Sequence, residues 1–309
     1  MSQLRPAVTW RALVVLAAYV VFFPPLFVLG PLAGLLVASR PRSVREWAWI
    51  GAAALWLLVT LGQPGGLAPQ MLHAWALFVT GAFVVLMLSG RCSLISGALL
   101  ASAFGFGAAT VWAWLLGSRW QDIQLAVAHT GWEFCRQLLA QSNLAPDALD
   151  GLRSYVNSLA DAVGVLAQLF PGLLILTALP GLVLAWTWYH RLSAHPTGTP
   201  GGRFAEFRFS DHLVWLVVGC VAGFVLPLPD ALHGLLGNLA VVTGGLYAAR
   251  GAAVAWRSVE PFSLGVLAIL LLGVLFILPV ALGGFFSVGL ADTWVDFRRR
   301  FASAGSREE

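Results

Sequence analysis

The chain has 309 residues, 59% of them hydrophobic and only 10% charged, with 18 basic against 14 acidic side chains and a formal charge of +4. Soluble domains carry about 25% charged residues, so this composition excludes an ordinary water-soluble globule and makes a bilayer the solvent. The basic residues are all arginines, gathered at the ends of apolar segments (Arg40, Arg42 and Arg45; Arg191, Arg203 and Arg208; Arg298, Arg299 and Arg300). That is positive-inside patterning and not the one-sided charge of a nucleic-acid binder.

The hydropathy pattern predicts an all-α fold, a polytopic transmembrane helical bundle forming one integral membrane domain over 1–309. It has about eight membrane segments, between roughly six and ten, since about 20 residues span the hydrocarbon. Arg5 and Arg11 precede an apolar run that continues past Phe22 without a small-residue cleavage site, which reads as a retained first helix and not a signal peptide. The stretch Ala12 to Ala38 is interrupted by Pro24 and Pro25, giving either a kinked crossing or two half-helices. Trp47 to Gly62, an uncharged Pro-Gly-Gly turn, and Met71 to Ser89 form a helical hairpin. These first helices extend over 12–117 and end with Ser93 to Gly117. There Gly97, Ala101, Gly105, Ala109 and Ala113 recur every fourth residue, a stripe that lets a neighbouring backbone approach. Gly30, Gly34 and Ala38, and Ala240, Gly244, Ala248 and Ala252, repeat that spacing.

The segment 118–158 is polar and reads as extracytoplasmic. Ile123, Val127, Phe134 and Leu138 oppose Gln124, His129, Glu133, Arg136 and Gln137, which predicts an interfacial amphipathic helix. A break follows at Asn143 to Asp147. The next helix, 159–189, carries kink signals at Pro171 and Pro180 and ends in the aromatic anchors Trp186, Trp188 and Tyr189. A Pro-, Gly- and Thr-rich loop, 190–210, reads as cytoplasmic and mobile, and divides the chain. The C-terminal helices, 211–300, begin with His212 to Leu226, turn at Pro227-Leu-Pro-Asp230 and continue through Leu232 to Ala249, with Arg250 and Arg257 marking the inner end. The run Phe262 to Leu290 exceeds one untilted crossing, and Pro279 or Gly283-Gly284 could split it. A tail, 301–309, closes the chain.

Polar groups within apolar segments are the functional candidates, because the membrane makes them costly. Asn238, with His233 and Tyr247 on the same segment, either lines an outward-facing ligand site or makes an interhelical hydrogen bond. His73 would join that site, and Trp120 and Glu133 belong to an outer segment suited to closing over a polar ligand. A second group, Asp211, His212 and Trp215 with Asp292, Trp294, Asp296 and Arg298, gathers at the inner helix ends. It would latch those ends together or contact a partner, although caps and interface anchors use the same residue types. Cys92, Cys135 and Cys220 lack pairing or metal-ligand spacing and read as free thiols. The sequence holds no phosphate loop of the G-x-x-x-x-G-K type, no H-E-x-x-H, no Cys-His metal set and no G-x-S-x-G, so neither catalytic residues, metal nor cofactor are expected.

Phe209 to Trp215, then Asn238, Tyr247 and Arg250-Gly251, and finally Gly289 to Arg298 resemble the YybS-like family of predicted bacterial integral membrane proteins. That family is of uncharacterised function and is distantly similar to the substrate-binding membrane components of energy-coupling-factor vitamin transporters. The resemblance implies about six core helices, a small-molecule site toward the outside and a partner module that hydrolyses ATP. The extra helices expected here and the long outer segment depart from it. The expected partners are the lipid bilayer, a small-molecule ligand and a membrane or ATPase partner, in a bacterial inner membrane. The leading function is binding or transport of a small solute; the alternative is a scaffold or assembly protein acting through its cytoplasmic helix ends.

Overall fold

Why this sequence folds as it does is clearest where small residues meet bulky ones. In a computed structural model of the protein, every regular element among the described residues is helical. These residues are 25–61, 66–141, 162–259 and 276–295, with isolated positions 151, 154, 156, 266, 270, 273 and 274. The chain divides into two compact units, Met1–Gly201 and Gly202–Glu309.

The first unit contains α1 (Leu26–Ala38), α2 (Val44–Leu61), α3 (Leu67–Leu88), α4 (Leu94–Leu115), α5 (Trp120–Gln141) and α6 (Phe170–Leu192). The predicted stripe on α4 is buried at all five positions, because it is where α3 presses closest. A Cβ on Gly105 would lie 2.8 Å from the Val79 backbone nitrogen. Trp75 of α3 fills the adjoining space, its indole N–H donating to the Ser102 carbonyl at 3.3 Å and its ring meeting Phe27 of α1 edge-on at 4.9 Å. The stripe on α1 faces α3 as well, with Gly30 against Thr80 and Gly34 against Val84. Helices α2 and α3 both form, but each packs against α1 more than against the other, so the expected hairpin of two mutually packed helices is not seen among the described residues.

Three local expectations change. The amphipathic helix α5 exists, but Phe134 is 62% exposed while Cys135 is buried with Val156 and Val163. Ile123, also buried, lies about 120° around the helix from Cys135, so α5 buries two faces and a single apolar stripe does not describe it. Of the two proline signals, the chain bends at Leu169, ahead of Pro171 in the first turn of α6, and α6 continues as helix through Pro180.

The loop expected to be mobile instead folds back on α6 over 193–201. Trp186 donates its indole N–H to the Thr199 carbonyl at 3.0 Å, the Tyr189 hydroxyl accepts from the Thr197 N–H at 2.9 Å, and Gly198, at φ +85°, sits against the Trp186 ring. The buried Glu46 at the start of α2 fixes the loop from the other side. Its carboxylate accepts N–H bonds from Ala194 at 2.8 Å, Arg42 at 2.8 Å and Ser43 at 2.7 Å. The backbone N–H groups of Ala194, Ser43 and Arg42 hold its pKa down to about 2, outweighing the opposing effect of burial.

The second unit contains short 3-10 turns at Phe204–Glu206 and Asp211–Leu213, then α7 (Val214–Val225), α8 (Asp230–Val259) and α9 (Leu278–Val295). The turn between α7 and α8 falls at the predicted Pro-Leu-Pro-Asp. Two expectations shift here too: α8 does not end at Arg250 but continues for more than two turns, and α9 begins beside Pro279 and passes unbroken through Gly283-Gly284. Helices α3, α4, α6, α8 and α9 are long and apolar enough to cross a bilayer, while α1 and the stretch Asp211–Val225 are apolar but shorter. Large apolar side chains such as Leu55, Phe104, Trp114 and Val225 are more than half exposed, which suits lipid contact. The protein is an all-α, polytopic membrane helical bundle.

Candidate functional site

Helices α8 and α9 cross with their backbones almost touching. A Cβ on Gly251 would collide with the Phe285 carbonyl oxygen, and one on Gly289 with the Tyr247 carbonyl oxygen. Each helix thus offers a glycine to a carbonyl of the other, an approach that any side chain would block. Because residues three and four apart share a helix face, the crossing brings Tyr247 and Arg250 of α8 against Asp292 and Thr293 of α9.

Arg250 is fully buried and anchors the site. Its Nε donates to Asp292 Oδ2 at 2.9 Å, its Nη1 to Asp211 Oδ1 at 2.7 Å and its Nη2 to the Asp292 backbone carbonyl at 3.2 Å. Asp292 is as enclosed as Arg250, whereas the Asp211 side chain is 55% exposed. The Phe209 ring covers the guanidinium, 5.5 Å from its carbon, and meets Tyr247 edge-on at 5.0 Å; Tyr247 in turn meets Phe286 at 6.3 Å. A buried guanidinium is tolerable only with such compensation: carboxylates within hydrogen-bond reach, a carbonyl and an aromatic face.

Compensation is incomplete on the other side. The Tyr247 hydroxyl, Asp292 Oδ1 and the Thr293 hydroxyl are buried with no well-formed hydrogen bond among the described residues. The Tyr247 and Thr293 hydroxyls are neighbours, but their approach falls short of good hydrogen-bond geometry. Unsatisfied buried oxygens are few in native proteins, and three at one helix crossing mark the place as unusual.

Of the residues singled out from sequence, the structure unites Tyr247, Asp211 and Asp292 around Arg250, joining a member of the ligand group to members of the inner-end group. Asn238 and His233 lie nearer the start of α8. Asn238 donates its amide N–H to the Gly234 carbonyl at 2.8 Å, and His233 stacks on Phe224 at 6.4 Å. His212 lies in the turn beside Asp211, and Trp215 and Trp294 are both about two-thirds exposed. His73, Trp120 and Glu133 belong to the first unit. His73 is half-buried on α3, Trp120 packs edge-on against Phe106 at 5.7 Å, and Glu133, exposed, lies 3.6 Å from His129 on its own helix. Asp296 and Arg298 lie outside the described residues.

Sequence reasoning misses Arg250, which reads as a charge marking a helix end. A usable signal was present: a lone arginine in an Ala- and Gly-rich helix, followed by glycine, in a unit with aspartates at the start of one apolar helix and near the end of another. Phe209 and Thr293 carry no such signal by themselves.

A family model described as "Predicted membrane protein (DUF2232)" matches residues 12–293. No curated protein and no solved structure matches the chain.

Proposed function

The chain belongs to the DUF2232 family of predicted membrane proteins, and from that premise we propose a polytopic protein of the bacterial cytoplasmic membrane that binds or moves a small solute without hydrolysing ATP and without being an enzyme. Its polar centre is the crossing of α8 and α9 around Arg250. The observation that carries this reading is the set of buried, incompletely bonded oxygens on Tyr247, Asp292 and Thr293 beside an enclosed guanidinium. A purely structural latch gains nothing from unpaired oxygens, whereas a solute site presents a few convergent polar groups in apolar walls.

Position along the helix adds to the reading. Arg250 lies about 30 Å from Asp230 along α8, one hydrocarbon thickness. With the arginine-rich ends inside, the Arg250 centre sits at the cytoplasmic boundary and Asn238 and His233 lie toward the outside. Tyr247 then belongs to the inner end of a path whose outer part holds Asn238. The likeness to energy-coupling-factor components adds an expected ATPase partner, which the exposed Trp215 and Trp294 beside the centre could contact.

A thermal-shift screen of detergent-purified protein against a metabolite panel tests the proposal, with wild type run beside Tyr247→Phe and Asn238→Ala. A solute that stabilises wild type in a concentration-dependent way, and Tyr247→Phe less, is the expected result. No stabilisation by any solute in folded wild-type protein overturns it and favours the scaffold reading, in which the same exposed tryptophans dock a membrane partner.

A further inference from the structure

Because α2 and α3 pack on α1 more than on each other, the three helices leave a groove of about 400 Å³ between them, a volume typical of ligand sites. Gly30, Gly34 and Ala38 of α1 line it together with Ala54 of α2 and Ala76 of α3. These side chains are too small to fill the gap. Among the described lining residues only Thr80 is polar, and Val37 and Leu77 on the same groove stay more than half exposed. The lining runs along α1 from Leu26 to Ala38, about 18 Å at the helical rise. One leaflet, half of the ~30 Å hydrocarbon, is about as deep.

One end of the groove is charged. Arg40 and Arg42 follow Ala38 directly, and Arg45 lies in the first turn of α2, ahead of the lining residue Ile50. All three arginines are exposed, and none pairs with a carboxylate among the described residues. Glu46 beside them is buried, its oxygens already accepting the backbone N–H groups of Ala194, Arg42 and Ser43. Three guanidiniums against one carboxylate leave this end positive. Trp47, 58% exposed, sits at the same end, and tryptophan favours the headgroup level.

A soluble anion would use the arginines but gain nothing from the apolar groove. A transmembrane helix does not fit inside it: 18 Å of helix, 10–12 Å across, occupies on the order of 1,400 Å³ or more. A slender hydrocarbon chain under an anionic head satisfies both parts. We propose that the groove lined by α1, α2 and α3 holds an acyl chain of one anionic phospholipid of the inner leaflet, with its phosphate at Arg40, Arg42 and Arg45. This site goes beyond the solute reading and does not depend on the Arg250 centre.

The test titrates delipidated full-length protein in dodecyl maltoside with phosphatidylglycerol or with phosphatidylcholine of the same chains, and native mass spectrometry counts the lipids retained. Saturable retention of one phosphatidylglycerol per chain is expected, preferred over phosphatidylcholine by about tenfold or more. Ala54→Leu puts a larger side chain into the groove and keeps every arginine; it should weaken retention by a similar factor. The combined variant Arg40→Gln, Arg42→Gln and Arg45→Gln, which leaves the groove open, should do the same. Equal retention of the two lipids describes ordinary boundary lipid and overturns the site. Displacement by glycerol 3-phosphate, the head without its chains, describes a free-anion site and also overturns it. So does retention unchanged by Ala54→Leu, the result expected if residues 1–24 or a second copy of the chain occupied the groove. Should the arginine variant fail to fold, Ala54→Leu and the comparison of the two lipids on wild type decide.

Discussion

Arg250 and Asp292 sit on helices that cross at facing glycines, and their side chains meet at 2.9 Å with neither reaching the surface. Removing one partner strands the other. Arg250→Ala leaves an enclosed carboxylate without its cation and is expected to destabilise the second unit by about 3–5 kcal/mol. Replacing both, as Arg250→Leu with Asp292→Leu, removes both desolvation costs and should recover most of that loss. Reversible unfolding in mixed micelles measures each variant; a double variant no more stable than Arg250→Ala contradicts the assignment.

The backbone contact that supports this pair makes its own demand. Gly251→Ala and Gly289→Ala would each drive a methyl group into a carbonyl of the opposite helix, with an expected loss of about 1–3 kcal/mol apiece as α8 and α9 separate. Gly244, on the same helix α8, has open space where its Cβ would lie, so Gly244→Ala should be neutral or stabilise by up to about 1 kcal/mol. The same unfolding assay compares the three, and equal effects at Gly244 and Gly251 would contradict the close crossing.

That contrast also explains how much of the molecule the sequence makes legible. Local periodicity finds helices and packed stripes when one neighbour dominates a face, as with Gly97 to Ala113 against α3. It fails when packing depends on partners distant in sequence. The stripe read from Ala240 to Ala252 is displaced, because the face that α9 covers runs through Tyr247 and Gly251. Arg250 reads as a helix end because its compensating carboxylates lie 39 and 42 positions away, beyond any local pattern. Tyr247, Asp211 and Asp292 were legible as isolated polar groups, but their convergence depends on a helix crossing that residue spacing alone does not encode.

Glu46 supplies a pH prediction. Its carboxyl is held near 2 in the folded chain against an ordinary value of 4.5, so between those values the unfolded state binds the extra proton. The stabilisation from its bonds to Ala194, Arg42 and Ser43 is therefore fully present above about pH 4.5 and is lost as pH falls through about 2. Limited proteolysis of the 193–201 loop should show cutting that rises across this window in wild type. Glu46→Gln should cut faster already at neutral pH and lose that part of the pH dependence.

The two buried faces of α5 lead to a test of side-chain direction. Phe134 is 62% exposed while the adjacent Cys135 is only 6% exposed and packs with Val156 and Val163. Thiol modification requires access as well as ionisation. With Cys92 and Cys220 changed to alanine, native Cys135 in detergent-solubilised protein should react slowly with a maleimide. In the same background, Phe134→Cys with Cys135→Ala should react far faster, on the order of tenfold or more, because labelling of a buried thiol waits for local opening. Equal rates at the two positions would restore the single apolar stripe through Phe134 and remove Cys135 from the packed face. Faster labelling at Phe134→Cys fixes the rotation of α5 about its axis and leaves Glu133, about 160° around the helix from Cys135, directed away from the cluster that Cys135 joins.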